Sequence, residues 1–380
     1  MSTTHFVATP QDGPSAPRPR GRTKPATRAR LHRPLLGTVA AMGALVVLAL
    51  AAMLADDRML LGESVWLKPV KFGLAFFLYS LTLAWLLSLP HKGSRITWWL
   101  GTVFAVTGFV DVGFIVLQAA RGTFSHFNTE DDPVNSIGQL VFASGVPGLF
   151  LANLLIVSIL AWQRLVDRPT ARAIHAGLAL SVAGMALGYL MGFTGKQLVR
   201  DSDGRIVELA AGHTVVPDAS DLAPRDAMGG MPLTHWSTVG GDLRVPHFVG
   251  LHGIQVLLSV AVLLAWLAPR YRWLGPERTR AAIVGVLAAG YAGLLALVFW
   301  QAMRAQSLVH PDKATWLAAC GLAATVAALL RVVYLRHRAG RGAGARGGAR
   351  GGRRAAGRPG RVGRGAGVPP PPPPDRRGRR

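Results

Sequence analysis

Asp111 is the residue whose type and place most demand a chemical explanation. It lies in a long apolar run, about nine residues before that run ends near Ala120. At a rise of about 1.5 Å per residue this puts a carboxylate roughly 13 Å below the end of a helix. An ionisable group at such depth is a functional-site hypothesis by default, and the competing reading is a buried salt bridge that fixes helix packing. Lys68 and Lys71 open the preceding apolar run. Their plain reading is snorkelling to lipid headgroups. The sharper one pairs Lys71 with Asp111, because a tight loop makes their two helices neighbours and pairing lowers the cost of burying either charge.

Histidines are the second chemical signal. Of the eleven, six (His126, His213, His235, His247, His252 and His310) fall on or just below one side of the predicted bundle. In the segment 246–255, His247 and His252 are five apart, about 140° around a helix, so they chelate poorly unless the helix start is irregular. His252, Gln255 and Ser259 share a face that is expected to point inward. Two polar pairs recur at helix ends, Gln118 with Arg121 and Gln301 with Arg304, each followed by a histidine, His126 and His310. Together these residues predict an outward-facing polar cavity. Its binding set is Asp111, Lys71, His252, Gln255, Gln118, Arg121, His126, His247, Gln301 and Arg304.

Other chemistries lack their residues. No phosphate-binding glycine loop, His-Glu-x-x-His, Gly-x-Ser-x-Gly or Cys-x-x-Cys occurs, so no nucleotide-driven pump and no zincin are encoded. The single cysteine, Cys320, allows no intrachain disulfide and no cysteine metal cluster. A bis-histidine haem needs two histidines at one depth on facing helices, and none is evident. No cofactor is expected, and the identity of any metal stays open.

The elements that must position these residues are membrane spans. Half of the 380 residues are hydrophobic and 16% are charged, and apolar runs of about 20 residues recur, long enough for a bilayer core of roughly 30 Å. The spacing predicts an all-α membrane protein of about eight transmembrane helices, at 34–55, 68–89, 96–119, 137–162, 173–194, 246–268, 281–303 and 314–335. The short loops 91–95, 163–172 and 269–280 carry net charges of +2, +2 and +3, whereas 56–66, 121–136 and 195–245 each carry −2. Lys/Arg excess marks the cytoplasmic side, so both termini are expected in the cytoplasm.

Residues 1–33 (+6) and 336–380 (+13) hold most of the formal charge of +23, which leaves the body nearly neutral and gives no licence for a global nucleic-acid-binding role. Their Pro/Arg/Thr and Arg/Gly/Pro compositions predict disordered cytoplasmic tails. Such tails reinforce topology, and anionic inner-leaflet lipids are their natural partner; RNA binding by Arg-Gly repeats is the weaker alternative.

A faint duplication relates spans 1–4 to spans 5–8. Leu67-Lys68-Pro69-Val70-Lys71-Phe72 matches Leu243-Arg244-Val245-Pro246-His247-Phe248, and Leu-Ala-Trp recurs at 83–85 and 264–266. Two such halves would be parallel four-helix repeats about an axis along the membrane normal. Small-residue stripes (Gly184, Gly188, Gly192; Gly285, Ala289, Gly293) predict close helix packing within the bundle, with homo-oligomerisation as the alternative.

The segments Trp66–Phe72, Gln118–Asn128 and Gly240–Gln255 resemble those of uncharacterised multi-pass membrane proteins of high-GC bacteria, over about residues 34–335. The resemblance implies a bacterial cytoplasmic membrane and carries over no functional residue. Three functions compete: a transporter or small-molecule-binding protein built around Asp111; a structural or sensory protein whose loop 195–245 forms a cap that receives a partner; and a membrane metal or redox enzyme drawing on the histidines.

Overall fold

The computed structural model describes residues 31–161, 163, 166–217 and 222–355, with side chains described as far as residue 339. Nine helices lie among them: α1 (Arg33–Ala55), α2 (Leu67–Ser88), α3 (Ser94–Ala120), α4 (Pro133–Leu160), α5 (Arg168–Gly188), α6 (Arg244–Leu251), α7 (Gly253–Leu267), α8 (Glu277–Met303) and α9 (Lys313–Ala355). Seven helical segments are long and apolar enough to cross a membrane, and the count reaches eight if α6 and α7 form one span. Their outward residues are apolar as well: Leu54 is 89% exposed, Leu317 74% and Val262 68%. A bundle that turns leucine and valine outward is suited to lipid rather than water.

The helix ends follow from local sequence. His32 caps α1, its Nδ1 accepting from the amide of Leu35, while its Nε2 lies 2.8 Å from the carbonyl oxygen of Trp98 on α3. Asp132 caps α4 by accepting from the amides of Val134 and Asn135, with Pro133 at the first turn where its missing N–H costs nothing. The turn from α2 into α3 needs Gly93 at φ +83, a left-handed conformation that glycine adopts without strain.

Packing sorts the helices into two groups. In the first, α1 lies on α2 and α3, α2 on α3, and α3 on α4. In the second, α5 lies on α6, α7 and α8, both α6 and α7 touch α8, and α8 carries α9. The groups meet where α4 faces α5 and α2 faces α7. A buried cluster of Leu83, Phe104, Leu149, Ile156, Leu178 and Ile254 crosses that junction.

Four connections gather at one end of the bundle as a cap. It contains three antiparallel two-stranded ribbons: β1 (Met59–Leu60) with β2 (Glu63–Ser64), β3 (Gln197–Arg200) with β4 (Ile206–Leu209), and β5 (Thr214–Val215) with β6 (Gly241–Asp242). Phe124, Val199, Val207 and Leu209 form its small core, with Leu60, Leu61 and Phe127 against it. The hydroxyl of Ser307 ties the α8–α9 connection to the cap by donating to the carbonyl of Ser237.

Two expectations need correction. The span predicted at 246–268 is not one straight helix: α6 and α7 meet at His252 with a bend of 42°. There Gly184 of α5 and Gly250 of α6 touch backbone to backbone, so that a Cβ on Gly250 would lie 2.4 Å from the Gly184 Cα. The last helix does not stop at residue 335 but continues to Ala355. Propagation from an existing span needs no new nucleus, which offsets the low helix propensity of the seven glycines between residues 340 and 352. Residues 1–30 and 356–380, which hold the rest of the basic tails, lie outside the described residues.

Candidate functional site

A cavity of about 950 Å³ opens between the two helix groups beneath the cap. α2, α3 and α4 line it from one side, and α5, its continuing 3-10 turn (Tyr189–Phe193), α6 and Tyr291 of α8 from the other. Its mouth is charged. Lys68, Lys71 and Glu63 stand there with Arg244, Asp226 and the rings of His126, His213, His235 and His247. Below them the wall is aromatic and aliphatic, with Phe76, Tyr79, Phe104, Phe142, Leu149 and Phe150. The cavity is therefore less polar at depth than the sequence suggested, because ring faces, and not the predicted glutamines, fill the space between the groups.

Most of the charge at the mouth is already paired. Lys71 Nζ donates to both Glu63 oxygens, at 3.1 and 2.8 Å. Arg244 is clamped on Asp242, with Nε to Oδ1 at 3.0 Å and Nη2 to Oδ2 at 2.6 Å. Asp226 accepts from His213 Nδ1 at 2.9 Å, from Gln197 Nε2 at 2.9 Å, and from the amides of His213 and Thr214. Burial pushes the Asp226 carboxyl up, but the charge and hydrogen bond of His213, the charge of Arg244 and the Gln197 amide outweigh it and hold the group well below the usual carboxylate range. Burial and the neighbouring Lys68 charge hold the His126 imidazole well below its ordinary value. The His126 ring packs edge-on against Phe142, with centroids 4.5 Å apart.

Asp111 stands apart from this network. It is 3% exposed, and neither carboxylate oxygen has a hydrogen-bond partner among the described residues. The expected Lys71–Asp111 pair is not formed. Lys71 reaches up to β2 instead, since Glu63 stands at the start of the same helix while Asp111 lies a further turn or more down the bundle. The carboxylate fits against the bare Cα of Gly145 on α4, where a Cβ would sit 2.3 Å from Oδ1. Two residues on, the ring of Pro147 removes the amide that would bond the carbonyl of Ala143, and both residues line the cavity. His252, at the α6–α7 break, lines it too; it is eight residues below the start of α6, about 12 Å, and so near the level of Asp111.

The structure divides the predicted binding set. It brings Asp111, Lys71, His126, His247 and His252 to the cavity. It places the others elsewhere. Gln118 is buried and donates to the carbonyl of Phe124 and to Asn135 Oδ1, while its own oxygen accepts from Arg121. Arg121 goes on to Asp132 at 2.9 Å. Gln301 donates to the carbonyl of Ser307 at 2.8 Å, and Arg304 binds Asp312 and Thr315. These four close the loops that follow α3 and α8. Gln255 donates weakly to Thr82 Oγ1 at 3.4 Å on α2, and Ser259 is exposed, so the expected inward face of His252, Gln255 and Ser259 is broken at the bend.

Sequence reasoning missed Glu63 and Asp226 as cavity groups, counted His213 among the outer-side histidines without placing it in the binding set, and read Lys68 only as a snorkelling side chain. Loop residues carry no periodicity that announces an inward aim, so no local signal singled them out. Among the described residues, no three of His, Cys, Asp and Glu are placed to hold a metal ion. No family model, curated protein or solved structure matches this chain, and its chemistry rests on the geometry alone.

Proposed function

We propose that this chain is a small-molecule-binding protein of a bacterial cytoplasmic membrane, of transporter type, with eight spans, both termini in the cytoplasm and a cavity that opens outward through the cap. The observation that carries this reading is Asp111: a buried carboxylate without a partner among the described residues, in the wall of a cavity large enough for a drug-sized molecule. A charge held in an apolar wall costs several kcal/mol and is retained where a ligand or proton completes it. The charge balance of the loops supports the orientation, since the cap end is the acidic one.

Two further features support it. The break between α6 and α7 beside the cavity is the kind of discontinuous span in which ligand sites of transporters form. The two helix groups also share local architecture, which favours parallel repeats. Gln118 and Gln301 each donate to the carbonyl six residues on, and each accepts the amide five residues on. Arg121 and Arg304 each bind the aspartate that caps the next helix, Asp132 and Asp312. In each group the second span follows a two-stranded ribbon. A ligand between two such repeats sits where their relative rotation would expose it to one side and then the other.

Single cysteines test the opening. In a Cys320→Ala background, cysteine at Gln139 or Met185 should react with a membrane-impermeant maleimide added outside intact cells. Reaction only from the cytoplasmic side, or from neither, would reject the outward cavity.

A further inference from the structure

We propose that the molecule this cavity takes is a lipophilic cation, an amine or onium group on an apolar body, with Asp111 as its counter-ion. The inference rests on the cavity reading above and adds the charge of the ligand. Among the described residues every other carboxylate at the cavity is already matched, Glu63 by Lys71 and Asp226 by His213. Asp111 alone keeps both oxygens unused among the described residues, although it is 3% exposed. A carboxyl buried in this way gives up its proton when a cation arrives to match it, and in such low-dielectric surroundings the resulting attraction is far stronger than in water. The space Asp111 faces is walled by Phe76, Tyr79, Phe104 and Phe142, and ring faces attract cations, most strongly once the cation is desolvated.

The His247 imidazole points the same way. It places Nδ1 2.7 Å from the carbonyl of Gly184, which can only accept, so this nitrogen carries the proton. In the neutral ring its Nε2 is then an acceptor, and it has no partner among the described residues. Together with the two Asp111 oxygens it offers acceptors suited to the N–H groups of an amine. The exception is Lys68, at the first turn of α2, for which no hydrogen bond or ion pair is formed among the described residues. It stands at the mouth, a helix turn or more above Asp111, where it would hold an anion if the cavity took one.

Two probes of one shape and opposite charge separate these outcomes: tetraphenylphosphonium and tetraphenylborate, followed by equilibrium dialysis against the purified full chain. The phosphonium should bind saturably. Asp111→Asn should weaken it about ten-fold or more, the equivalent of about 1.4 kcal/mol, while Asp111→Glu should retain part of the binding and Lys68→Met, which removes a like charge at the mouth, should keep or strengthen it. Wild-type melting temperatures would show that each variant is folded. Saturable borate binding that is lost in Lys68→Met would overturn the cation and leave the cavity reading standing. So would equal binding of both probes with no effect of Asp111→Asn. Binding of neither probe would overturn the cation as well. The maleimide experiment would then decide the cavity by itself.

Discussion

Lys71 holds Glu63 and not Asp111: its ammonium lies 2.8 Å from Glu63 Oε2, across the first turns of one helix and the ribbon before it. The cation that the sequence suggested for the buried carboxylate is therefore already used, and the two charges serve different purposes.

A double-mutant cycle reads this directly. Lys71→Met should lower the melting temperature, because it leaves Glu63 partly buried and unmatched, at a cost of about 1–3 kcal/mol. Asp111→Asn should keep or raise it, because it removes a buried carboxyl that no described residue compensates. The double variant should be additive within about 0.5 kcal/mol. A coupling larger than about 1 kcal/mol, with the double variant recovering the stability lost in the single ones, would show a structural Lys71–Asp111 pair.

Acid should loosen the cap in two stages. The His126 pKa is lowered by burial in the fold, so its neutral form belongs to the native state. As pH falls below the unfolded value of about 6.5, the unfolded chain takes up a proton that the native one refuses, and stability falls by up to about 1.4 kcal/mol per pH unit. The Asp226 pKa is depressed in the fold, so its contribution is complete above about pH 4 and is lost as pH falls further. Hydrogen exchange of peptides from 195–217 and 222–243, corrected for the intrinsic pH dependence, should show less protection at pH 5.5 than at pH 7.5. His126→Phe should reduce that first stage, leaving the part that His235 contributes because burial lowers its pKa as well, and should leave the second. Protection that is unchanged between pH 7.5 and 5.5 in the wild type would contradict the assignment.

The two loop clasps should behave alike. Gln118→Ala and Gln301→Ala each strand a loop carbonyl, of Phe124 and of Ser307 respectively. Each should cost roughly 1–3 kcal/mol in thermal stability, and neither should alter ligand binding, since neither residue lines the cavity. A selective loss of binding with unchanged melting temperature in either variant would return that glutamine to the site.

Much of the scaffold was legible from residues alone. Arg33–Ala55, Ser94–Ala120 and Glu277–Met303 are unbroken helices of spanning length and apolarity, close to the predicted spans, because whether a segment can sit in lipid depends on its own side chains and length. The capping of α4 by Asp132 and the turn at Gly93 are equally local. The depth of Asp111 follows from its position in the helix, and so its unusual burial was visible before any neighbour was known.

Other features depend on pairs of residues far apart in the chain. The bend at His252 comes with the backbone contact of Gly184 and Gly250 and the bond from His247 to Gly184, 63 residues away. The His213–Asp226 pair arises in a loop without period, and Gln118 and Gln301, which looked like ligands, turn out to bind their own loops. Suitability for lipid is a property of one segment and its solvent, so the sequence by itself determined where the apolar helices lie and that a carboxylate sits deep in one of them. Partnership is a property of two groups brought within about 3 Å, so only the tertiary structure decided that Lys71 is taken, that Asp111 is left over, and that aromatic rings surround the space before it.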